Sequence, residues 1–410
     1  MIMTSPRQPG ILFILITALI DSISIGIIIP VFPRLIMSME NCDESHAAII
    51  GGWLMFCFAI MQFVMSPVLG SLSDRFGRRP ILLLSLFGFG IDFLLLAFAP
   101  NLSWLFAGRI MAGVMGASYT TAAAYIADIS NDTNRSKHFG MLGAAFGLGF
   151  IIGPGVGGIL AQWGVRVPFI ACAVLSLLNW LYGYFILPES LPIERRRAFE
   201  WKRANPVGAF MSIMKYRKIL GYLTVFFLLY LGAQAVMTNW QYYTMLKFGW
   251  DEKSIGVSIM AVGIIVALVQ GVLVRVVNSR IGNARAMLIG LTLYTIGMAG
   301  FGFATSGTWM MVAILPYCLG GINGPAIQSL MSESAPANAQ GELQGIITSV
   351  QSITSIIGPL LMAGIFSHFT SAGNFYFPGA AFVTAAALML AALIIAWATI
   401  RKQTSPNDRL

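Results

Sequence analysis

The sequence predicts an all-α membrane protein of twelve transmembrane helices, arranged as two six-helix halves with pseudo-symmetry. Three observations carry this. Hydrophobic residues make up 57% of the 410 and charged residues only 10%, against about 25% charged in a soluble domain. The apolar residues fall into twelve runs at 11–36, 47–70, 81–99, 102–126, 138–161, 167–187, 219–245, 255–275, 286–305, 308–331, 344–366 and 377–400. Each run is apolar on every side and about as long as a bilayer-crossing helix needs to be, whereas barrel strands alternate over about ten residues. Finally, the runs repeat at an offset of 205 residues. Gly153-Pro154 falls on Gly358-Pro359, Gly140 on Gly345, Gly116 on Gly321, and Arg75 and Gly77 on Arg280 and Gly282. Several coincidences at one offset indicate duplication. Halves so related place a solute site between them near mid-membrane. The expected domains are 1–187, a cytoplasmic linker 188–218, and 219–410.

Charge placement orients the chain. With the N-terminus cytoplasmic, 20 of the 25 Lys and Arg fall on the cytoplasmic side: Arg7, the three after span two, Arg135 and Lys137, eight in the linker, Arg275, Arg280 and Arg285, and three in the tail. That is the positive-inside pattern, with both termini inside. Loop 332–343, with Glu333 and Glu342 and no basic residue, is the one exception. The net charge of +9 therefore orients the chain in a bilayer, and no nucleic-acid partner is expected. Span one is too long and too internally polar for a cleaved signal peptide.

Taken in order, the spans carry few polar residues, and those few are informative. Asp21 lies near the middle of span one, which has Pro30 and Pro33 toward its outer end. Span two carries Gln62 and runs into the loop Gly70-Ser-Leu-Ser-Asp-Arg-Phe-Gly-Arg-Arg79. Gly70 allows close helix approach, Asp74 and Arg75 are placed to pair at the membrane surface, Gly77 permits a tight turn, and Arg78 and Arg79 hold the loop inside. Asp92 lies about eleven residues into span three. Arg109 lies in span four about ~10 Å from its outer end, a long reach for a snorkelling side chain. Asp128 ends that span on the cytoplasmic side. An ionised Asp or Arg at a helix centre costs roughly 2.5–3.5 kcal/mol, so the trio Asp21, Asp92 and Arg109 implies use, most simply in moving a proton or ion with a solute. It does not repeat: the offset places Phe226, Gly297 and Ile314 at these positions.

Span five is rich in glycine, at Gly140, Gly149, Gly153, Gly157 and Gly158, with Pro154 among them. Such density weakens a soluble helix by about 1 kcal/mol per glycine, but in lipid it makes a smooth face for close packing, and Pro154 adds a bend. Linker 188–218 reads as a solvated basic segment. Span seven is polar toward its outer end, and Gln234 is its deepest polar residue. The cysteines Cys42, Cys57, Cys172 and Cys318 are scattered without metal-ligand spacing, so neither disulfide nor metal is expected. The histidines (His46, His138, His368) lie at or beyond span ends. No Ser-His-Asp, metal or nucleotide-binding pattern is present, so neither enzyme activity nor a cofactor is expected.

The 70–79 loop resembles the signature loop of the major facilitator superfamily, and the resemblance extends over essentially the whole chain. It implies the major facilitator fold, and that Asp74 and Arg75 latch the halves in one access state with Asp128 as a partner. The second-half copy, Asn278-Ser-Arg-Ile-Gly282, lacks the acid, which implies a one-sided latch. The span-five spacing G-x8-G-x3-G-P-x2-G-G is similar to the superfamily's antiporter signature, implying export rather than nutrient uptake. The span-four motif Leu105-x3-Arg109-x3-Gly113-x2-Gly116 resembles that of exporters and implies an arginine facing the central cavity. Within the superfamily the chain looks most like tetracycline:proton antiporters, through Ile20-Asp21, Gln62 to Pro80, Ile91 to Phe98, Gly108 to Asp128 and Gln344 to Leu361. Acids matching Asp21 and Asp92 are required in that group, and Gln62 and Gln270 match positions tied to activity. Two positions depart from it: Tyr294 stands where the group has a span-nine acid, and Val266 where it has a histidine.

Burial favours a protonated carboxyl and a nearby arginine favours the carboxylate. The carboxylate with the stronger hold on Arg109 therefore stays ionised, and the other carries the proton. Asp21 is the expected carrier, since span one lines the cavity in this fold. Tyr119, Tyr230, Gln234 and Asn323 are the expected solute contacts, together with Gln62 and Gln270, because spans four, seven and ten face the cavity. The expectation is a monomer in a bacterial inner membrane, exchanging protons for a small organic compound, drug or tetracycline-like. The alternatives are a proton-coupled nutrient symporter and a non-transporting receptor on the same fold.

Overall fold

A computed structural model describes residues 8–116, 118–131, 133–197, 217–335 and 340–404. Arg7, Lys202, Arg203, Lys215, Arg409 and most of the central linker lie outside the described residues, as does the side chain of Glu342. Twelve helices among the described residues are long and apolar enough to cross a membrane. Spans one to six are Gly10–Ile28, Glu44–Phe76, Arg78–Phe98, Leu102–Ile129, Arg135–Trp163 and Val167–Ile186. Spans seven to twelve are Ile219–Phe248, Glu252–Asn278, Asn283–Phe303, Gly307–Ser334, Leu343–His368 and Ala380–Arg401. All twelve overlap the runs read from the sequence, and the fold is the all-α one expected.

The structure corrects four local readings. Span one ends at Ile28 rather than near 36, and a separate short helix, Phe32–Glu40, follows with Pro33 in its first turn. Pro30 lies between them, where a missing N–H and a fixed φ end one helix before the next begins. Span four is interrupted at Gly116 and span ten at a 3₁₀ turn, Gly320–Ile322. Span eight contains a π turn, Val269–Leu273.

By compactness the chain forms two units. One comprises Met1–Cys42, Cys57–Pro206 and Asp251–Ala261; the other comprises Asp43–Phe56, Val207–Trp250 and Val262–Leu410. In the first, spans one, three, four and five close around Phe13, Ile14, Leu82, Leu86, Tyr125, Ile126 and Leu142, all buried. The glycines of span five form the tightest seam. A Cβ at Gly149 would come within 2.6 Å of the Leu19 carbonyl oxygen, and one at Gly153 within 2.6 Å of that of Ile23. Gly157 presses on the Ile27 carbonyl in the same way. These three glycines are spaced four apart and so share one helix face. Gly158 turns to the backbone of Glu252 and Lys253 at the start of span eight. Gly140 has nothing within 4 Å, so it takes no part in this seam. In the second unit, Tyr243 donates a 2.6 Å hydrogen bond to the Phe301 carbonyl, and Trp240 and Phe382 pack on the Phe301 ring.

The repeat extends to the backbone. Gly77 (φ 105°, ψ 160°) and Gly282 (φ 78°, ψ 158°) precede spans three and nine in nearly the same conformation. A positive φ of this kind is strained for any residue with a Cβ, which is why glycine recurs there.

Candidate functional site

The first unit holds a cavity of about 320 Å³ walled by spans one to five. Its lining includes Phe58, Phe89, Phe93, Phe146 and Tyr119, with Asp21 and Gln62 as polar members. Tyr119 is 46% exposed and meets Phe146 edge-on at 5.5 Å. Among the described residues of the lining, Asp21 is the single carboxylate and there is no lysine or arginine. Ser118 stands beside its carboxyl group on the same wall. The surface is thus mostly aromatic and apolar, with one carboxyl group set in it.

Arg109 is held elsewhere. Its guanidinium pairs with Asp92 at 2.6 Å and lies 5.6 Å from the Phe32 ring centroid. Asp92 is fully buried, and a Cβ at residue 108 would sit 2.7 Å from its Oδ1, so Gly108 makes the room for this pair. Among the described residues, neither Arg109 nor Asp92 lines this cavity of the first unit. Of the two acids, Asp92 has taken the arginine and Asp21 has not.

The loop after span two is also wired differently from the sequence reading. Asp74 pairs with Arg78 at 2.6 Å, not with Arg75, and Arg78 reaches Asp128 at 3.0 Å. Arg78 additionally donates to Ser73 Oγ at 2.6 Å. Arg75 is exposed and stacks on Phe76 at 5.0 Å. The turn explains the choice: span two ends at Phe76 and span three starts at Arg78, and Gly77 at φ 105° folds Arg78 back toward Asp74, whereas adjacent residues of one helix point about 100° apart. Arg79 donates to the Tyr184 carbonyl at 2.7 Å. A Cβ added at Gly70 would meet nothing within 4 Å among the described residues outside its own helix backbone.

Glu189 completes this cluster and was not singled out from the sequence. Its carboxylate accepts from the backbone N–H of Arg78 at 2.8 Å and of Arg79 at 3.3 Å, and also from Ser190 and Leu191 at 3.0 Å. It therefore satisfies the first amides of span three and sets a negative charge at the positive end of that helix. The start of the linker is thus part of the first unit. Tyr125 donates to the Pro188 carbonyl at 3.0 Å, and the Arg197 N–H to the Asp74 carbonyl at 3.1 Å. The sequence signal was a carboxylate two residues past a span end, with nothing in the linear pattern to name its partner. Replacing Glu189 with Ala is expected to cost about 1–2 kcal/mol, as for loss of a helix cap, read as a lower midpoint of thermal unfolding. Glu189→Gln, which keeps an acceptor, should lose about half as much.

The second unit carries a related cluster. Asn283 Nδ2 donates to Ser329 Oγ at 2.8 Å and to Glu333 Oε1 at 3.0 Å. Asn283 and Glu333 occupy the positions that the 205-residue offset assigns to Arg78 and Asp128. The copy that lacks the loop acid therefore keeps the contact as an amide–carboxylate hydrogen bond, which revises the one-sided reading.

The other expected solute contacts scatter. Gln62 lines the cavity, but its amide donates to the Gly116 carbonyl at 3.2 Å. Gln270 donates to the Gly321 carbonyl at 3.3 Å. Asn323 is corrected outright: it is 1% exposed and donates to the Gly320 carbonyl at 3.0 Å against span nine. Tyr230 stacks on Phe226 at 4.4 Å. Gln234 packs on Gly358, and Tyr294 stacks on Tyr317 at 5.2 Å.

Comparison with known proteins agrees with this architecture. The family model of the Major Facilitator Superfamily matches residues 14–359 and 276–409. The class C tetracycline resistance protein of Escherichia coli is 38% identical over 390 residues, covering 94% of this chain and 95% of that protein. The class H protein of Pasteurella multocida is 33% identical over 399 residues, covering 96% and 97%. Among solved structures, the nucleoside transporter NupG superposes with a TM-score of 0.76 at 14% identity, covering 95% of this chain and 99% of that one. The xylose transporter XylE from E. coli, partially occluded and inward open, gives 0.71 at 17% identity, covering 96% and 99%. At these identities the two structures speak for the fold alone.

Proposed function

This chain belongs to the Major Facilitator Superfamily, in its tetracycline-exporter group, and from that membership we propose that it exports a small organic compound in exchange for protons. It works as a monomer in a bacterial inner membrane, with both termini cytoplasmic. The observation that carries the reading is the division of labour between two acids. Asp92 is neutralised by Arg109, whereas Asp21 stands in an aromatic cavity wall beside Ser118, with no cation among the described lining residues.

In a water-poor wall an unpaired carboxylate is costly, so Asp21 holds a proton when the cavity is empty. An entering solute that stabilises the carboxylate expels the proton, and reprotonation from the other side expels the solute. One group thus serves two competing occupants, which is the minimum requirement for exchange. The rings of Phe58, Phe89, Phe93, Phe146 and Tyr119 offer flat apolar surface to a planar solute. The cluster of Asp74, Arg78 and Asp128 is the gating latch, with Glu189 holding its loop in place.

The named relatives are tetracycline resistance proteins. For this chain, tetracycline with Mg²⁺ is the first compound to test, because Tyr294 and Val266 replace two titratable groups expected in that group. Everted vesicles energised to an acid interior are the assay, with an acridine dye reporting the gradient. Adding an exported compound is expected to discharge the gradient and load the vesicles. A panel of tetracyclines and planar organic cations and neutrals that leaves the dye signal unchanged would remove the exchange reading. Gradient-driven release from preloaded vesicles would favour a nutrient symporter instead.

A further inference from the structure

The two mid-span interruptions have the same chemistry. In span four, Gly116 leaves the helix after Met115, and the next helical segment starts at Ser118. The Gly116 carbonyl accepts the Gln62 amide from span two. In span ten the helix stops at Leu319, passes through Gly320–Ile322, and restarts at Asn323. The Gly321 carbonyl accepts the Gln270 amide from span eight. Gly116 and Gly321 are related by the 205-residue offset, but Gln62 and Gln270 are not: the second glutamine lies three residues farther on. The π turn at Val269–Leu273 adds backbone at that point. The same contact is thus made twice across a shifted register.

Ser118, the first described residue after Gly116, stands beside Asp21 on the same cavity wall. Its repeat-related position is Asn323, which closes on the Gly320 carbonyl of its own break. The first break therefore touches the exchanging carboxyl group, while the second is tied to itself.

We propose that Gln62 and Gln270 are positioning residues that clamp these two breaks, and that the Gln62 clamp sets how the segment after Gly116 follows the charge state of Asp21. A broken helix has unsatisfied carbonyls that lipid cannot satisfy, so the donor decides where the break stays and how far it opens. A protonated Asp21 needs less from the Ser118 hydroxyl than an ionised one, so proton loss pulls on the segment the glutamine holds. Gln62 thus acts through span four rather than by gripping solute. This rests on the proton-exchange reading of Asp21.

The test is hydrogen–deuterium exchange of the full chain in lipid nanodiscs for the wild type, Gln62→Met, Gln270→Met and Gln62→Glu. Losing one hydrogen bond should speed exchange of amides beside the partner glycine by roughly tenfold in each Met variant, and leave the other break unchanged. Gln62→Glu should behave as Gln62→Met at about pH 8 and as wild type at about pH 5, because only a protonated carboxyl donates to a carbonyl. In everted vesicles with tetracycline–Mg²⁺ and, separately, ethidium, both Met variants should lower the maximal rate of gradient discharge about fivefold or more with half-saturation unchanged. Unaltered exchange at Gly116 and Gly321 would overturn the clamp. So would a raised half-saturating concentration at full rate, which would make Gln62 a solute contact. If the wild type discharges no gradient with either compound, the transport reading fails for those compounds and the exchange arm alone decides the clamp.

Discussion

Asp21→Asn is expected to abolish compound-driven proton release while leaving the protein folded. Asparagine keeps the shape and an acceptor for the neighbouring Ser118 hydroxyl but never ionises, so the site loses one of its two states. Positioned proton-transfer groups contribute roughly 10²–10⁴-fold to rate, so gradient discharge in everted vesicles should fall about a hundredfold or more. Binding of an uncharged carried compound should survive, since the rings supply most of the surface. Asp21→Glu restores a titratable group one methylene too long and should recover part of the rate. Exchange that persists at the wild-type rate in Asp21→Asn would move the proton to another group and remove Asp21 from the mechanism.

The second large effect is on stability. Arg109→Met is expected to destabilise the first unit by about 3–5 kcal/mol, the cost of leaving a buried partner uncompensated. The pair is dry: Asp92 is fully buried and the arginine side chain only 12% exposed. Asp92→Asn with Arg109 intact leaves a buried cation and should destabilise in the same way. The double variant Asp92→Leu, Arg109→Met removes both charges and should recover most of the loss, because replacing a whole buried pair by apolar groups is often neutral. Thermal unfolding in detergent, followed through the tryptophans, measures all three. A single variant as stable as wild type would mean that water reaches the pair. The double variant also asks whether Asp92 does more than fix structure: recovered stability without recovered discharge would give the ion pair a part in coupling.

The architecture was legible because lipid imposes a coarse rule. Each span must satisfy its own backbone and show apolar side chains, so twelve runs of hydropathy name twelve helices. The glycine row Gly149, Gly153 and Gly157 was legible for a related reason, since four-residue spacing puts them on one face. What faced that row was not. Gly140 belongs to the same motif yet meets nothing within 4 Å. The helix interruptions at Gly116 and at Gly320–Ile322 left no mark in hydropathy, because a few irregular residues remain as apolar as their neighbours.

The site was legible as a set of residues and not as a set of pairs. Asp21, Asp92 and Arg109 stood out because charge in lipid is expensive. Which acid owns the arginine turned on helix rotation, at about 100° per residue, and on the space left by Gly108. The same limit gave Asp74 to Arg75 from adjacency in the chain, where the structure gives it to Arg78 across the turn at Gly77. Glu189 was beyond reach, since a cap joins residues more than a hundred positions apart.

The sequence by itself thus determined the solvent, the number of spans, the internal repeat and the family, all of which are written in composition and order and need no partner to be read. Only the tertiary structure decided the pairings: Arg109 with Asp92, Arg78 with Asp74 and Asp128, and the two glutamines with the two breaks. A pairing depends on which faces of two helices meet, and the free energy that chooses among neighbouring faces is a matter of ångströms between side chains rather than of their kind.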